Sequence, residues 1–265
     1  MHAKVKPAAD APVLIEKRKG VATLTLNRAK KYNAMSTEVM REIESALASV
    51  AKDASIRVVV IAANGPAFSS GHDLKEMMAN RTQQFIGALF DKCSEIMMTI
   101  QAMPQPVIAK VHGIATAAGC QLVAQCDLAV ASSEAKFATS GINFGLFCAT
   151  PGVPVSRNIS RKRAFEMLFT GEFIDAQTAL AWGLVNRVVP PAKLDEEVQK
   201  LVDTILEKPA AVCAAGKRLF YEQLESKIGH AYKIASQAIT HNMLGEDAAE
   251  GVGAFIEKRK PDWKK

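Results

Sequence analysis

Apolar and polar positions change their spacing several times along this chain, and each change marks an element. Residues 13–16 and 21–26 are rich in β-formers on either side of Arg18-Lys19-Gly20, which predicts a hairpin. Val39, Ile43, Leu47 and Val50 then recur at helical spacing, with Ser36 or Thr37 placed to cap the helix. Residues 58–61 are a short apolar run, predicted as a buried strand stopped by Asn64-Gly65-Pro66. A second long helix carries Phe85, Leu89, Cys93, Ile96 and Ile100 on one face, and Pro104 and Pro106 end it before a strand at 107–111. Residues 119–125 read as a short helix leading into a strand at 128–131. Ser160 is placed to cap a helix ending at Gly171, and Asp175 one ending at Gly183. Beyond Pro190-Pro191 the strand signals stop, and Leu194, Val198, Leu201 and Ile205 open a helical run.

Alternation of strand and helix predicts an α/β fold with parallel pairing and crossover helices. The expected division is an α/β core over 1–195, opening with a loose arm at 1–12, and a helical region over 196–265. With 265 residues, 49% hydrophobic and 23% charged, the chain is neither a disordered tail nor a fibre. Thirty-three Lys and Arg against 27 Asp and Glu give +6, which suits nucleic acid or a phosphorylated small molecule and selects neither. Five cysteines without a C-x-x-C pair argue against a disulfide framework or zinc knuckle and for a reducing compartment. The start, MHAKVKPAAD, has no apolar signal core, and the least polar stretch, 113–131, is interrupted by Gln121, Gln125 and Asp127. The expectation is a soluble cytoplasmic protein.

No phosphate loop, G-x-G-x-x-G, G-x-S-x-G or H-E-x-x-H motif occurs. Ser70, His72 and Asp73 do not make a triad, because triad members come from separate segments that meet in space. Two glycine-bearing turns remain, at 68–75 and 112–121, each following a strand. Small residues there let main-chain N–H groups approach a ligand, or serve only to pack a turn tightly against a helix.

These segments resemble the crotonase, or enoyl-CoA hydratase/isomerase, family. Residues 27–35 (NRAKKYNAM) are similar to its N-R-P-x-x-x-N-A-L segment, and 68–75 (FSSGHDLK) to its F-x-A-G-x-D-L-K turn. Residues 111–127 resemble V-x-G-x-A-x-G-G-G-x-E-L-x-x-x-C-D, and 170–185 echo a T-G-x-x-x-x-A-x-x-A-x-x-x-G-L-V stretch. The resemblance runs from about residue 13 to the C-terminus. It implies a spiral of ββα turns, C-terminal helices that build a trimer or a dimer of trimers, and an acyl-CoA substrate held between the two turns. No permanently bound cofactor, metal, nucleic acid or membrane is implied. By position, the thioester oxygen is held by the backbone N–H groups of His72 and Ala118. The CoA-side candidates are Arg28, Lys30, Lys31, Tyr32, Ala34, Phe68, Ser70, Asp73, Leu74 and Lys75, with Phe255 and Lys258 reaching a neighbouring subunit's CoA.

The family's two hydratase glutamates fall on Gln121 and Gly141, so neither carboxylate is present. A positioned acid or base contributes about 10²–10⁴-fold, so ordinary alkene hydration is expected to be severely impaired, and Gln121→Glu with Gly141→Glu to restore it. The label implied is enoyl-CoA hydratase. Isomerisation, thioester hydrolysis, decarboxylation and silent acyl-CoA binding stay open. His72 is a possible base or merely a packed side chain; Cys148, on a segment (146–156) longer than the family pattern, and nearby Asn143 read as packing. His112 reads as ordering its turn, and His230 and His241 as surface residues.

Overall fold

The computed structural model describes residues 11–263, so the expected arm at 1–12 lies outside the described residues except for its last two. β1 (Val13–Arg18) and β2 (Val21–Leu26) form the hairpin, with Lys19 and Gly20 at φ 48° and 80° in its turn. Two successive positive φ values give the twist that a two-residue hairpin loop requires. α1 (Thr37–Ala51) follows, and Ser36 is its cap, accepting a hydrogen bond from the Val39 N–H.

One unit then recurs: strand, strand, helix. The first turn of this repeat is β3 (Val58–Ala63), β4 (Ala67–Ser69), α2 (Leu74–Ala79) and α3 (Gln83–Ala102). The second is β5 (Val107–Val111), β6 (Ile114–Thr116) and α4 (Ala118–Gln125). The third is β7 (Leu128–Ser132), β8 (Lys136–Ala138), α5 (Ala149–Asn158) and α6 (Arg161–Thr170). β9 (Ile174–Asp175), α7 (Ala176–Trp182) and β10 (Arg187–Val189) lead to α8 (Leu194–Leu206), α9 (Ala210–Leu224), α10 (Ile228–Met243) and α11 (Glu246–Ile256).

The first strand of each unit joins a six-stranded sheet, β1-β2-β3-β5-β7-β10, parallel except for the hairpin. The second strand joins a four-stranded sheet, β4-β6-β8-β9, parallel except for β8 with β9. Each unit therefore lies one strand further along both sheets, which is the ββα spiral. Side chains alternate across β3: Val59 and Ile61 enter the main core with α1, α3 and α4, while Val58 and Val60 face α8. A strand covered on both faces must be apolar throughout, which explains the unbroken Val-Val-Val-Ile run.

α8 spends its apolar face on this sheet: Leu194, Val198 and Val202 are buried against Val58, Val60, Ile108 and Val130, with Leu201 and Ile205 beside them. These residues serve the chain's own core. Further on, along and between α9–α11, large apolar side chains are exposed, including Leu224, Ile228, Tyr232, Leu244 and Phe255.

Three local expectations change. α2 was hidden in the glycine turn that precedes it. Residues 149–158 are helical, so much of the segment read as a longer loop is α5. Ser160 stands at the N-cap of α6, but its side chain makes no capping hydrogen bond; its carbonyl accepts from Ala164 instead. Asp175 caps α7 as expected, accepting from the Thr178 N–H at 2.7 Å.

Candidate functional site

β4 and β6 are neighbouring parallel strands, with Ala67 opposite Ile114 and Ser69 opposite Ala115. The turns that leave them, at 70–73 and 117–118, must therefore lie side by side. Glycine permits the contact: a β-carbon on Gly71 would sit 2.9 Å from the Ala117 methyl and 3.2 Å from the Ala118 nitrogen. Gly71 also has φ +91°, which glycine adopts readily. At Gly119, any side chain would run into the Ser69 carbonyl.

The first turn is clamped from above by residues 28–36. Ser70 N–H donates to the Tyr32 carbonyl (3.0 Å), Met35 N–H to Gly71 (2.7 Å), and Asp73 N–H to Met35 (3.3 Å). Asn33 locks the clamp. Its amide donates to the Asn64 and Ala67 carbonyls, both at 2.8 Å, and its oxygen accepts from the Arg28 N–H at 2.8 Å. Its own carbonyl accepts from the Ser69 hydroxyl at 2.9 Å. This residue is fully buried with φ +52°, and Tyr32 beside it has φ +51°.

Met35 and His72 are bridged in parallel, and that bridge uses the N–H groups of Met35 and Asp73. The N–H of His72 points away from it. Ala118 is the first residue of α4, where an N–H has no partner inside the helix. Among the described residues, neither the His72 nor the Ala118 N–H donates to any protein acceptor. Two free main-chain donors on abutting turns, one of them at a helix N-terminus, favour a negative charge between them. The arrangement has a conformational cost: Ala117 holds φ 50°, ψ −120°, a region that side chains disfavour.

Both turns open on a cavity of about 460 Å³, lined by Ser70, His72, Ala117 and Ala118 on one side and by Gly141, Phe144, Leu146, Phe147 and Cys148 on the other. Leu74, Met77 and Phe90 complete its apolar wall. The far wall follows β8, the next strand after β6, so the site stands at the ends of three successive parallel strands. Among the described residues, no Asp, Glu, Lys or Arg lines the cavity.

His72 has its Nδ1 3.4 Å from the Met35 carbonyl and its ring edge-on to Phe90, with centroids 5.2 Å apart. A carbonyl only accepts, so Nδ1 carries the proton. Nε2 is covered and has no partner among the described residues. Burial pushes the imidazole below its usual pKa, against smaller opposing effects from the Met35 hydrogen bond and Glu76. The ring is thus neutral at pH 7.

Gln121 is not on the cavity wall. It is 3% exposed, and the Cys93 thiol lies 3.9 Å from its side-chain oxygen. Gly141 does line the cavity, but a β-carbon there would meet the Leu146 carbonyl at 2.5 Å and the Cys148 sulfur at 2.8 Å. Cys148 accepts a hydrogen bond from the Gly141 N–H at 3.3 Å, and burial raises its thiol pKa. Phe68 is sealed in the core and supports the turn without facing the cavity. The Asp73 carboxylate caps α2, accepting from the Lys75 and Glu76 N–H groups. Arg28 is held by Glu38 at 2.8 Å. Lys30, Lys31, Tyr32 and Lys75 are exposed on the segments flanking the 69–73 turn, and Ala34 is partly buried there. Phe255 and Lys258 project from the end of α11, Phe255 being 84% exposed, and line no part of the cavity. His112 orders its turn through the Gly65 carbonyl at 2.7 Å, Asn143 donates to the Gly171 carbonyl at 3.2 Å, and His230 and His241 are exposed.

Sequence reasoning missed two parts of this region. The cavity's aromatic wall, Phe90, Phe144 and Phe147, had no motif to reveal it; Phe-Gly-Leu-Phe at 144–147 was its only signal. It also missed the anchor of α9, where Lys217 Nζ donates to Asp127 (2.7 Å) and to the carbonyls of Ile100 and Gln105 (2.7 and 2.9 Å). Tyr221 donates to the other Asp127 oxygen at 2.7 Å.

Comparison with known proteins bears on the family and the fold. Residues 16–265 match the family described as enoyl-CoA hydratase/isomerase. The human mitochondrial enoyl-CoA hydratase domain-containing protein 3 is 47% identical over 244 residues, 92% of this chain and 80% of that protein. A crotonyl-CoA hydratase from Syntrophomonas wolfei is 33% identical, with 95% of this chain and 97% of that protein covered. The crystal structure of an enoyl-CoA hydratase from Mycobacterium smegmatis superposes with a TM-score of 0.94 at 53% identity, covering 95% of this chain and 98% of that one. The cytoplasmic expectation is overturned: relatives 41–47% identical are named as mitochondrial proteins. No helix among the described residues is long and apolar enough to cross a membrane.

Proposed function

The chain belongs to the enoyl-CoA hydratase/isomerase family, and from that premise we propose that it binds an acyl-CoA thioester and stabilises charge on the thioester oxygen through the N–H groups of His72 and Ala118. The observation that carries this reading is the pair of unpaired donors on abutting turns at the edge of an apolar cavity. Charge developing on a thioester oxygen, as in an enolate, gains most from donors already fixed in place. One donor of this kind is worth roughly 2.7–4 kcal/mol of barrier. The apolar wall keeps water from competing for them.

The chemistry is not hydration by a carboxylate pair. Gln121 is buried behind the wall, and the site of the second carboxylate is filled by the 146–148 backbone and sulfur. The neutral His72 imidazole, on the cavity wall, keeps Nε2 as its free acceptor while Nδ1 is held by the Met35 carbonyl. Basic residues Lys30, Lys31 and Lys75 suit the phosphates of CoA. The exposed apolar faces of α9–α11 suit a closed homo-oligomer, a trimer or a dimer of trimers, in which Phe255 and Lys258 meet a neighbour.

Calorimetry with acyl-CoA tests the reading. A micromolar or tighter Kd, about −8 kcal/mol, is expected, with crotonyl-CoA hydration far below that of an efficient enzyme, at kcat/KM under about 10⁶ M⁻¹s⁻¹. A saturable heat absent for every acyl-CoA contradicts the proposal.

A further inference from the structure

The walls of the cavity specify the acyl group. Resting on the acyl-CoA reading above, we infer that the site takes an uncharged hydrocarbon acyl chain of medium length, about eight to ten carbons, and rejects acyl groups that end in a carboxylate.

Charge is the first argument. Among the described residues no ionised side chain lines the cavity, so a second carboxylate on the substrate would enter without a counter-charge, which is strongly unfavourable. Hydrogen bonding is the second. Three of the polar side chains on the wall are already engaged: Ser140 is bonded to Thr116 at 2.7 Å, Cys148 accepts from Gly141 N–H, and His72 is turned to Met35, which leaves the hydroxyls of Ser70 and Thr150. A distal hydroxyl or carboxylate would find few partners, whereas methylenes need none.

Size is the third. At roughly 30 Å³ per methylene-sized group, the share of one water in the liquid, a cavity of about 460 Å³ holds about fifteen such groups. A four-carbon acyl group and the adjoining thioester leave most of that space unfilled. Phe144, Leu146 and Phe147 stand at its edge with roughly half or more of their surface exposed (67%, 47% and 50%). A longer chain would lie along them and cover them.

The test is calorimetric titration of the full chain with CoA, with butyryl-, hexanoyl-, octanoyl- and decanoyl-CoA, and with glutaryl- against pentanoyl-CoA. Kd is expected to fall about fourfold per added methylene, the equivalent of ~0.8 kcal/mol, up to octanoyl-CoA at least. Glutaryl-CoA should bind about tenfold or more weaker than pentanoyl-CoA. Phe144→Asp, at an exposed position that the fold does not need, should reduce the gain per methylene to below about twofold, with its thermal unfolding midpoint confirming the fold. A flat series in which all thioesters bind overturns the acyl-class inference and leaves the acyl-CoA reading standing. So does equal affinity for glutaryl- and pentanoyl-CoA, or an unchanged slope in Phe144→Asp. Failure of every thioester and of CoA to bind overturns both.

Discussion

The carbonyl oxygen of Leu146 stands where a side chain at Gly141 would begin, 2.5 Å from the position of its β-carbon, with the Cys148 sulfur 2.8 Å away on another side. Ordinary contacts of a β-carbon are longer by nearly an ångström. The 141–148 segment has therefore closed over the place of a carboxylate, and restoring one requires that segment to move.

Gly141→Glu should accordingly lower stability by about 1–3 kcal/mol, as overpacking does, and the double variant with Gln121→Glu should not gain crotonyl-CoA hydration. This reverses the expectation from sequence. Thermal unfolding with a hydration assay checks it; a stable double variant with a large gain in rate contradicts the closed segment.

Asn33→Ala leaves the Arg28 N–H and the Asn64 and Ala67 carbonyls without their partner. Buried groups left unpaired cost about 1–3 kcal/mol each, so denaturant unfolding should show a loss of about 3 kcal/mol or more. Acyl-CoA affinity should fall as well, because the same residue holds the turn that carries His72.

Ala117→Gly should stabilise the protein by about 1 kcal/mol. The wild-type residue holds a positive φ of 50° that glycine adopts without its steric penalty. A decrease in the unfolding midpoint would show that the Ala117 methyl, which touches the Gly71 turn, contributes more than the strain removes.

His72 gives the stability a pH dependence with a definite sign. Its folded pKa lies below the ordinary 6.5, so below pH 6.5 the unfolded chain takes up a proton that the folded chain refuses. Stability should fall as pH drops from about 6.5 toward the folded value and level off below it. His72→Phe should remove that slope; a slope unchanged in the variant assigns it elsewhere.

Lys217→Met should cost about 3–5 kcal/mol by leaving Asp127 buried without its ion-pair partner. Their side chains are 6% and 14% exposed, and the pair fastens α9 to the sheet. Urea unfolding measures the loss.

The strand–helix alternation was legible because the central first-sheet strands β3, β5 and β7 are buried on both faces and read as apolar runs such as Val58–Val59–Val60–Ile61, while the spiral itself was legible only through the family resemblance. The second-sheet strands, two or three residues each, carry too few positions to show a period, and α2 has a single buried residue, Met77. The pair of main-chain donors proposed to hold the thioester oxygen was legible through family position, while the β4–β6 pairing that brings them together is a long-range contact that no local pattern records. Phe90 comes from the middle of α3, and Lys217 lies 90 residues from Asp127, so cavity wall and anchor appear only once the chain has folded.

The central claim is that His72 and Ala118 donate to the thioester oxygen. Difference infrared spectroscopy of octanoyl-CoA labelled with ¹³C at the thioester carbonyl measures this bond directly on binding. Two main-chain donors should weaken the C=O bond, so the account expects the labelled band to move to lower wavenumber and to sharpen relative to free ligand. A bound ligand whose carbonyl band stays at its solution position, or rises as in an apolar solvent, would contradict it.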